Sequence, residues 1–317
     1  MQKKQFGKTG MQITPVGLGA WAIGGGHWEA GWGPQDDQES IATIRRAPDL
    51  GINWIDTAAV YGLGHSETVV GKAIKGRERP YIFTKGSQVW DEHGNVGHNL
   101  KAASLRREVE SSLKRLDIDV IDLYQIHWPD PDPDIEEGWS TLAALKREGK
   151  VRHIGVSNFS VEQMRRAEKI APVETLQPPY SLVHPNVEKE ILPYCRQHQI
   201  GVIVYSPMAS GLLTGKMTRA RIANLPDDDW RKRGTEFQEP RLSRNLALAN
   251  LLAEIGKAHQ VTAGVVAIAW TLHNPAVTAA IVGSRHPNQV EETIAAAEFR
   301  LSESEYEQIR QFVVKHP

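Results

Sequence analysis

The chain is nearly without cysteine. One residue in 317, Cys195, carries a thiol, so no internal disulfide can brace the fold. It sits in "NVEKEILPYCRQHQ", where Val187, Ile191 and Cys195 recur at the spacing of a buried helical face, and such surroundings leave a thiol unreactive. An excess of charge is also missing. Lys and Arg number 37 against 38 Asp and Glu, with no long run of one sign, which argues against nucleic acid or an anionic membrane as a partner. The start "MQKKQFGKTG" has no apolar run of the kind a signal peptide or a membrane span needs, so the expected location is the cytoplasm. None of the 12 histidines, His93 and His98 included, has the helical pairing or carboxylate neighbour of a zinc site, so no metal is expected.

What the chain does have is alternation. Eight short β-branched runs fall at residues 15–19, 52–56, 80–85, 120–127, 151–157, 174–177, 201–206 and 279–284. Helical periods lie between them, as in Leu105, Val109, Leu113 and Leu116, or Ile135, Trp139, Leu142 and Leu145. "SVEQ" (160–163) and "SESE" (302–305) carry the reciprocal caps that open helices. This pattern predicts an α/β fold, a (β/α)8 TIM barrel in one domain over residues 1–317. Three features depart from the repeat. "KKQFGKTGMQIT" predicts a β-hairpin plugging the lower end, 219–240 is a long polar excursion, and one helix near 248–272 is extra to the barrel. Pro48 predicts a kinked or shortened last turn in the first barrel helix.

Barrel enzymes carry their chemistry at the C-terminal ends of the strands. There this sequence places Asp56, with Tyr61 five residues on, Lys85 and His127. An Asp56–Lys85 ion pair would satisfy two charges that are costly to bury singly, and taken alone it could be purely structural. Tyr61 gives the pair a purpose. An adjacent ammonium is expected to lower its pKa and make it a general acid, while neutral His127 polarises a carbonyl. Trp21, Trp28, Trp32, Trp90 and Trp128 offer an aromatic substrate mouth; Trp139 and Trp270, on helices, read as core. Ser157, Asn158, Gln177, Tyr205 and Ser206 suit a flat ring bearing a carboxamide. After the eighth strand, Gly283, Ser284 and Arg285 before Pro287 form a candidate anion site.

With "GINWIDTAAVYGLGHSE", "YIFTKG", "YQIHWPD", "HIGVSNFS", "YSPMASGLLTGK" and "IVGSRHPNQVEE" in this order, the chain resembles the aldo-keto reductase superfamily over nearly its full length. It looks most like the bacterial branch related to potassium-channel β subunits. The resemblance implies a catalytic tetrad of Asp56, Tyr61, Lys85 and His127, with Tyr61 as proton donor. It implies a nicotinamide carboxamide held by Ser157, Asn158 and Gln177, and a ring stacked on Tyr205. Ser206, Pro207, Met208, Ser210, Leu212 and Lys216 would line the pyrophosphate. Gly283, Arg285, Gln289, Glu292 and Thr293 would hold the adenosine end, and Ala20 would lie near the nicotinamide ribose. Arg285, with Lys216, would meet a 2'-phosphate, favouring NADPH over NADH.

"VGLGAWAIGGG" (16–26) matches a dinucleotide fingerprint by its letters only, because no helix can begin soon after "GGHWEAGWGP". Gly17 and Gly19 are expected instead in the first barrel strand, making room for the nicotinamide, with Trp21 walling the substrate pocket. The expected reaction is reversible hydride transfer between NADPH and a small aldehyde, ketone or sugar. Two other readings are a Schiff-base lyase using Lys85 and a nucleotide-sensing subunit with little turnover.

Overall fold

In a computed structural model, which describes residues 1–316, all eight expected runs are strands of one closed parallel barrel. They are β3 (Val16–Gly19), β4 (Trp54–Asp56), β5 (Tyr81–Gly86), β8 (Ile121–Ile126), β9 (Val151–Ser157), β10 (Thr175–Gln177), β11 (Gly201–Val204) and β12 (Ala279–Gly283). They pair in chain order, and β12 closes on β3 with Gly283 opposite Gly19. Around them run α1 (Asp37–Asp49), α2 (His65–Ile74), α3 (Ala102–Leu116), α4 (Ile135–Arg147), α5 (Val161–Glu168), α6 (Ile191–His198), α9 (Ala263–His273) and α10 (Pro287–Thr293). α7 (Arg219–Ala223), α8 (Arg241–Ala258) and α11 (Glu303–Lys315) are additional.

Local signals explain most element ends. Ser160 and Ser302 form complete capping boxes with Gln163 and Glu305, closing orphan donors at both helix starts. Pro48 lies in the last turn of α1, which stops at the next residue. The hairpin β1 (Lys4–Gln5) and β2 (Gln12–Ile13) does close the lower end. Its Phe6, Met11 and Ile13 join Trp54, Phe83, Leu123 and Ile203 in a core inside the barrel. A larger core lies between strands and helices and takes in Trp139 and Trp270. Cys195 is buried, and burial pushes its thiol up to about 12. The chain has no helix long and apolar enough to cross a membrane among the described residues.

Gly17 does not make room for a nicotinamide. A Cβ there would lie 2.1 Å from the indole of Trp54, whose Nε1 donates to Thr14 O at 2.9 Å. The missing side chain therefore admits a tryptophan to the barrel interior. Gly17→Ala is expected to cost about 1–3 kcal/mol by overpacking, which chemical denaturation of the purified variant would measure.

Candidate active site

β4, β5 and β8 end side by side at the upper rim, so period-two alternation aims Asp56 and Lys85 into the mouth together. Lys85 Nζ donates to Asp56 Oδ2 at 2.6 Å, to Thr57 O at 2.8 Å and to Tyr61 Oη at 3.3 Å. All three ammonium hydrogens thus have acceptors, and the side chain has no exposed surface. Gln177 Nε2 donates to the other Asp56 oxygen at 2.9 Å. The turn that delivers Tyr61 runs through left-handed Gly62, Leu63 and Gly64. It packs so closely that a Cβ on Gly24 would meet the Tyr61–Gly62 backbone at 2.7 Å. The His127 ring stands edge-on to Tyr61 with centroids 5.7 Å apart.

Burial dominates the electrostatics. It raises Asp56 and lowers Lys85, and their contact opposes both shifts. The expected lowering of Tyr61 is reversed: burial and the Asp56 charge hold its phenol well above 10, because an ammonium already neutralised by Asp56 does not repay desolvation. Burial and nearby Lys85 keep His127 well below the usual histidine value, so it is neutral. Its Nδ1 is buried with no partner among the described residues. An unprotonated Nδ1 is the cheaper orphan, which leaves the proton on Nε2.

These groups open into a cleft of about 520 Å³. Its lining includes Gly19, Trp21, Trp28, Trp32, Trp128, Ser157, Asn158, Tyr205, Ser206, Pro207, Met208, Ser210, Lys216, Gly283, Arg285, Gln289, Glu292 and Thr293, as the sequence predicts. Five expected residues are outside that lining. Lys85 reaches the cleft only through Tyr61 and Asp56. Trp90 sits on the hairpin β6 (Gln88–Trp90) and β7 (Val96–His98) with the Arg115 guanidinium 5.9 Å over its ring; only Gln88 of β6 borders the cleft. Leu212 is fully buried in the helical core. Ala20 turns inward, its N–H donating to Asp56 O and its carbonyl accepting from Ser66 Oγ. Ser284 is buried too.

Several lining residues are already engaged. Asn158, left-handed at φ 64°, donates from Nδ2 to His127 O at 3.0 Å and accepts from Tyr205 Oη at 2.8 Å. It therefore ties the rim together. Arg285 donates to Gln35 Oε1, Trp32 O and Pro34 O, and Lys216 pairs with Glu292.

The sequence reading missed two residues of the polar excursion. Trp230 stacks on Trp21 with centroids 5.6 Å apart and planes at 10°, and Trp21 lies over Tyr61 at 6.1 Å. Arg231 donates from Nε and Nη2 to the two oxygens of buried Asp229, covers Trp32 at 4.4 Å and lines the cleft. An aromatic beside a cation in "DDDWRKR", on a loop after a strand end, was the available signal.

An ion pair behind a tyrosine, a neutral histidine donor and a long cleft suit proton delivery to a carbonyl beside a flat cofactor. The Lys85 geometry speaks against a Schiff base, since a nucleophilic amine needs a free lone pair. Residues 15–314 match the model of the aldo/keto reductase family. An aldo-keto reductase of Bacillus subtilis is 41% identical over 92% of this chain and 87% of its own length. An NADH-specific methylglyoxal reductase of Escherichia coli is 36% identical over 96% of each chain. The solved structure of a glycerol dehydrogenase from Gluconobacter oxydans superposes with a TM-score of 0.89 at 38% identity, covering 99% of this chain and 96% of that one. The chain belongs to the aldo/keto reductase family and is an NAD(P)H-dependent oxidoreductase acting on carbonyl groups.

Proposed function

We propose that the protein reduces a small aldehyde, ketone or sugar carbonyl with NADPH, reversibly, and that Tyr61 is the proton donor. The observation that carries this reading is Lys85 Nζ, held by Asp56 and reaching Tyr61 Oη beside neutral His127. The cleft fits such a cofactor. Gly283 has nothing within 4 Å of a Cβ position among the described residues, leaving its rim open to a flat group, and Tyr205 also lines the cleft. Gln177 uses its Nε2 on Asp56, so its Oε1 is the group available to accept from a carboxamide.

When bound, the nicotinamide supplies a hydride from C4. Tyr61 Oη gives its proton to the carbonyl oxygen as negative charge builds there, and Lys85 stabilises the phenolate left behind. His127 Nε2–H donates to the same oxygen and orients it. Asp56 keeps Lys85 charged. Trp21, Trp28 and Trp128 exclude water and present apolar faces to the substrate.

NADPH is preferred over NADH on charge. Lys216, Arg221, Arg231 and Arg285 line the cleft; Glu292 pairs with Lys216 and Asp229 with Arg231, which leaves the Arg221 and Arg285 charges in excess, and an added phosphate dianion is favoured there. Arg285 or Lys216 must exchange a present partner for it. A clearly higher kcat/KM for NADPH is expected from steady-state kinetics, and equal values would remove the preference.

Tyr61→Phe is expected to lower kcat for 4-nitrobenzaldehyde by at least about tenfold, general-acid contributions being of that order or larger. Cofactor affinity, read by fluorescence, stays at the wild-type value. Turnover without loss would reject Tyr61 as the donor. In the pH profile of kcat, the alkaline limb is expected below the ordinary lysine value of 10.5, because burial lowers Lys85 and activity is lost as its proton leaves. No acid limb near 6.5 is expected from His127, which is already neutral there.

A further inference from the structure

Behind the tetrad, in the wall between barrel and helices, lies a fully buried carboxylate that this reaction does not use. Glu67, in the first turn of α2, has no exposed surface. Its Oε1 accepts from Thr84 Oγ1 at 2.5 Å and its Oε2 from Arg115 Nε at 2.7 Å. Each partner leads to a tetrad residue. Thr84 precedes Lys85 on β5 and, by alternation, points outward where Lys85 points in. Arg115, from α3, runs beneath Gly64, where a Cβ would meet its Cδ at 2.9 Å. Gly64 ends the left-handed turn that follows Tyr61. α2 itself starts on that turn, since Ser66 N donates to Tyr61 O at 3.1 Å.

An apolar contact would hold α2 against β5 without the cost of burying a carboxylate. What the carboxylate adds is direction. We propose that Glu67 is a positioning residue for the proton transfer, locking the strand that bears Lys85 to the turn that bears Tyr61 and so setting their 3.3 Å separation. This rests on the reading of Tyr61 as proton donor. Its charge has a second effect, favouring the ammonium form of Lys85 in addition to Asp56. The other ionisable groups around Glu67 and Lys85 are Tyr61 from the turn after β4, Tyr124 on β8 opposite Thr84 and His127 just past its end, and Arg115 and Glu108 from α3. Arg115 balances Glu67, and Glu108 accepts from Ser87 N at 2.8 Å.

The test is Glu67→Gln, with kcat followed across the pH range in which the wild type is active and NADPH affinity measured by fluorescence. Misplacing a reacting group by a fraction of an ångström is expected to lower kcat at least about tenfold. NADPH affinity should stay within about twofold, since cofactor contacts are untouched. The alkaline limb should move to lower pH, because Lys85 loses a charge that favours its protonated form. Any other pattern in the folded variant overturns the proposal, including a fall in kcat that leaves the limb in place or that is matched by lost NADPH affinity. If Glu67→Gln does not fold, Thr84→Val decides, since it cuts the link to the strand and keeps the Glu67–Arg115 pair. A fall in kcat at unchanged NADPH affinity supports the proposal, and wild-type kcat overturns it. Tyr61→Phe, run alongside, separates the two readings: if it keeps full turnover, the proton-donor reading fails; if it loses turnover while the Glu67 variant does not, only the present inference fails.

Discussion

The buried ion pair between Lys85 and Asp56 is the constraint around which the upper half of the barrel is built. Neither charge is tolerable alone in that interior, and each brings further partners. Thr57 O completes the ammonium and Gln177 completes the carboxylate, so three consecutive contacts tie β4, β5 and β10 at one level. Beneath this polar layer the barrel is filled by Trp54, Phe83 and the hairpin's Phe6. The pair is buried, and only Asp56 and Tyr61 stand between Lys85 and the cleft. The same desolvation that makes the pair obligatory keeps Tyr61 a phenol and His127 neutral, the protonation states in which each can donate to a carbonyl.

A second layer of control comes from loops that are distant in sequence. Trp21, after β3, is stacked between Tyr61 and Trp230, and Trp230 N donates to Gly31 O at 3.0 Å. Asp229 pairs with Trp32 across a β-bridge, and Arg231 covers the Trp32 ring. The excursion after β11 therefore backs the substrate wall with one residue and faces the cleft with the next. Any movement of that segment alters both the space over Tyr61 and the charge along the cleft.

The fold was legible because its signals are local and repeated. Eight β-branched runs, two capping boxes and the glycine spacing of the hairpin each specify an element without reference to the others. The four rim residues were legible for a related reason, since strand ends converge in a barrel and their side-chain direction follows from alternation. What sequence could not show depends on contacts between segments far apart. Gly17 is opposite Trp54, not a ligand; Trp90 leaves the rim with its hairpin; Arg285 donates to the loop at 32–35, some 250 positions away. The direction of the Tyr61 shift was missed because residue types reveal the neighbouring ammonium but not the depth of burial. Trp230 and Arg231 were passed over because a polar excursion gives no period from which to place a side chain.

The central claim is that Asp56 keeps Lys85 charged behind Tyr61, and Asp56→Asn tests it most directly, since the amide nearly preserves shape and removes the charge. In the pH profile of carbonyl reduction by the folded variant, the account expects the alkaline limb to move to lower pH, with kcat reduced and cofactor affinity retained. A profile that overlies that of the wild type, at equal kcat, would contradict it.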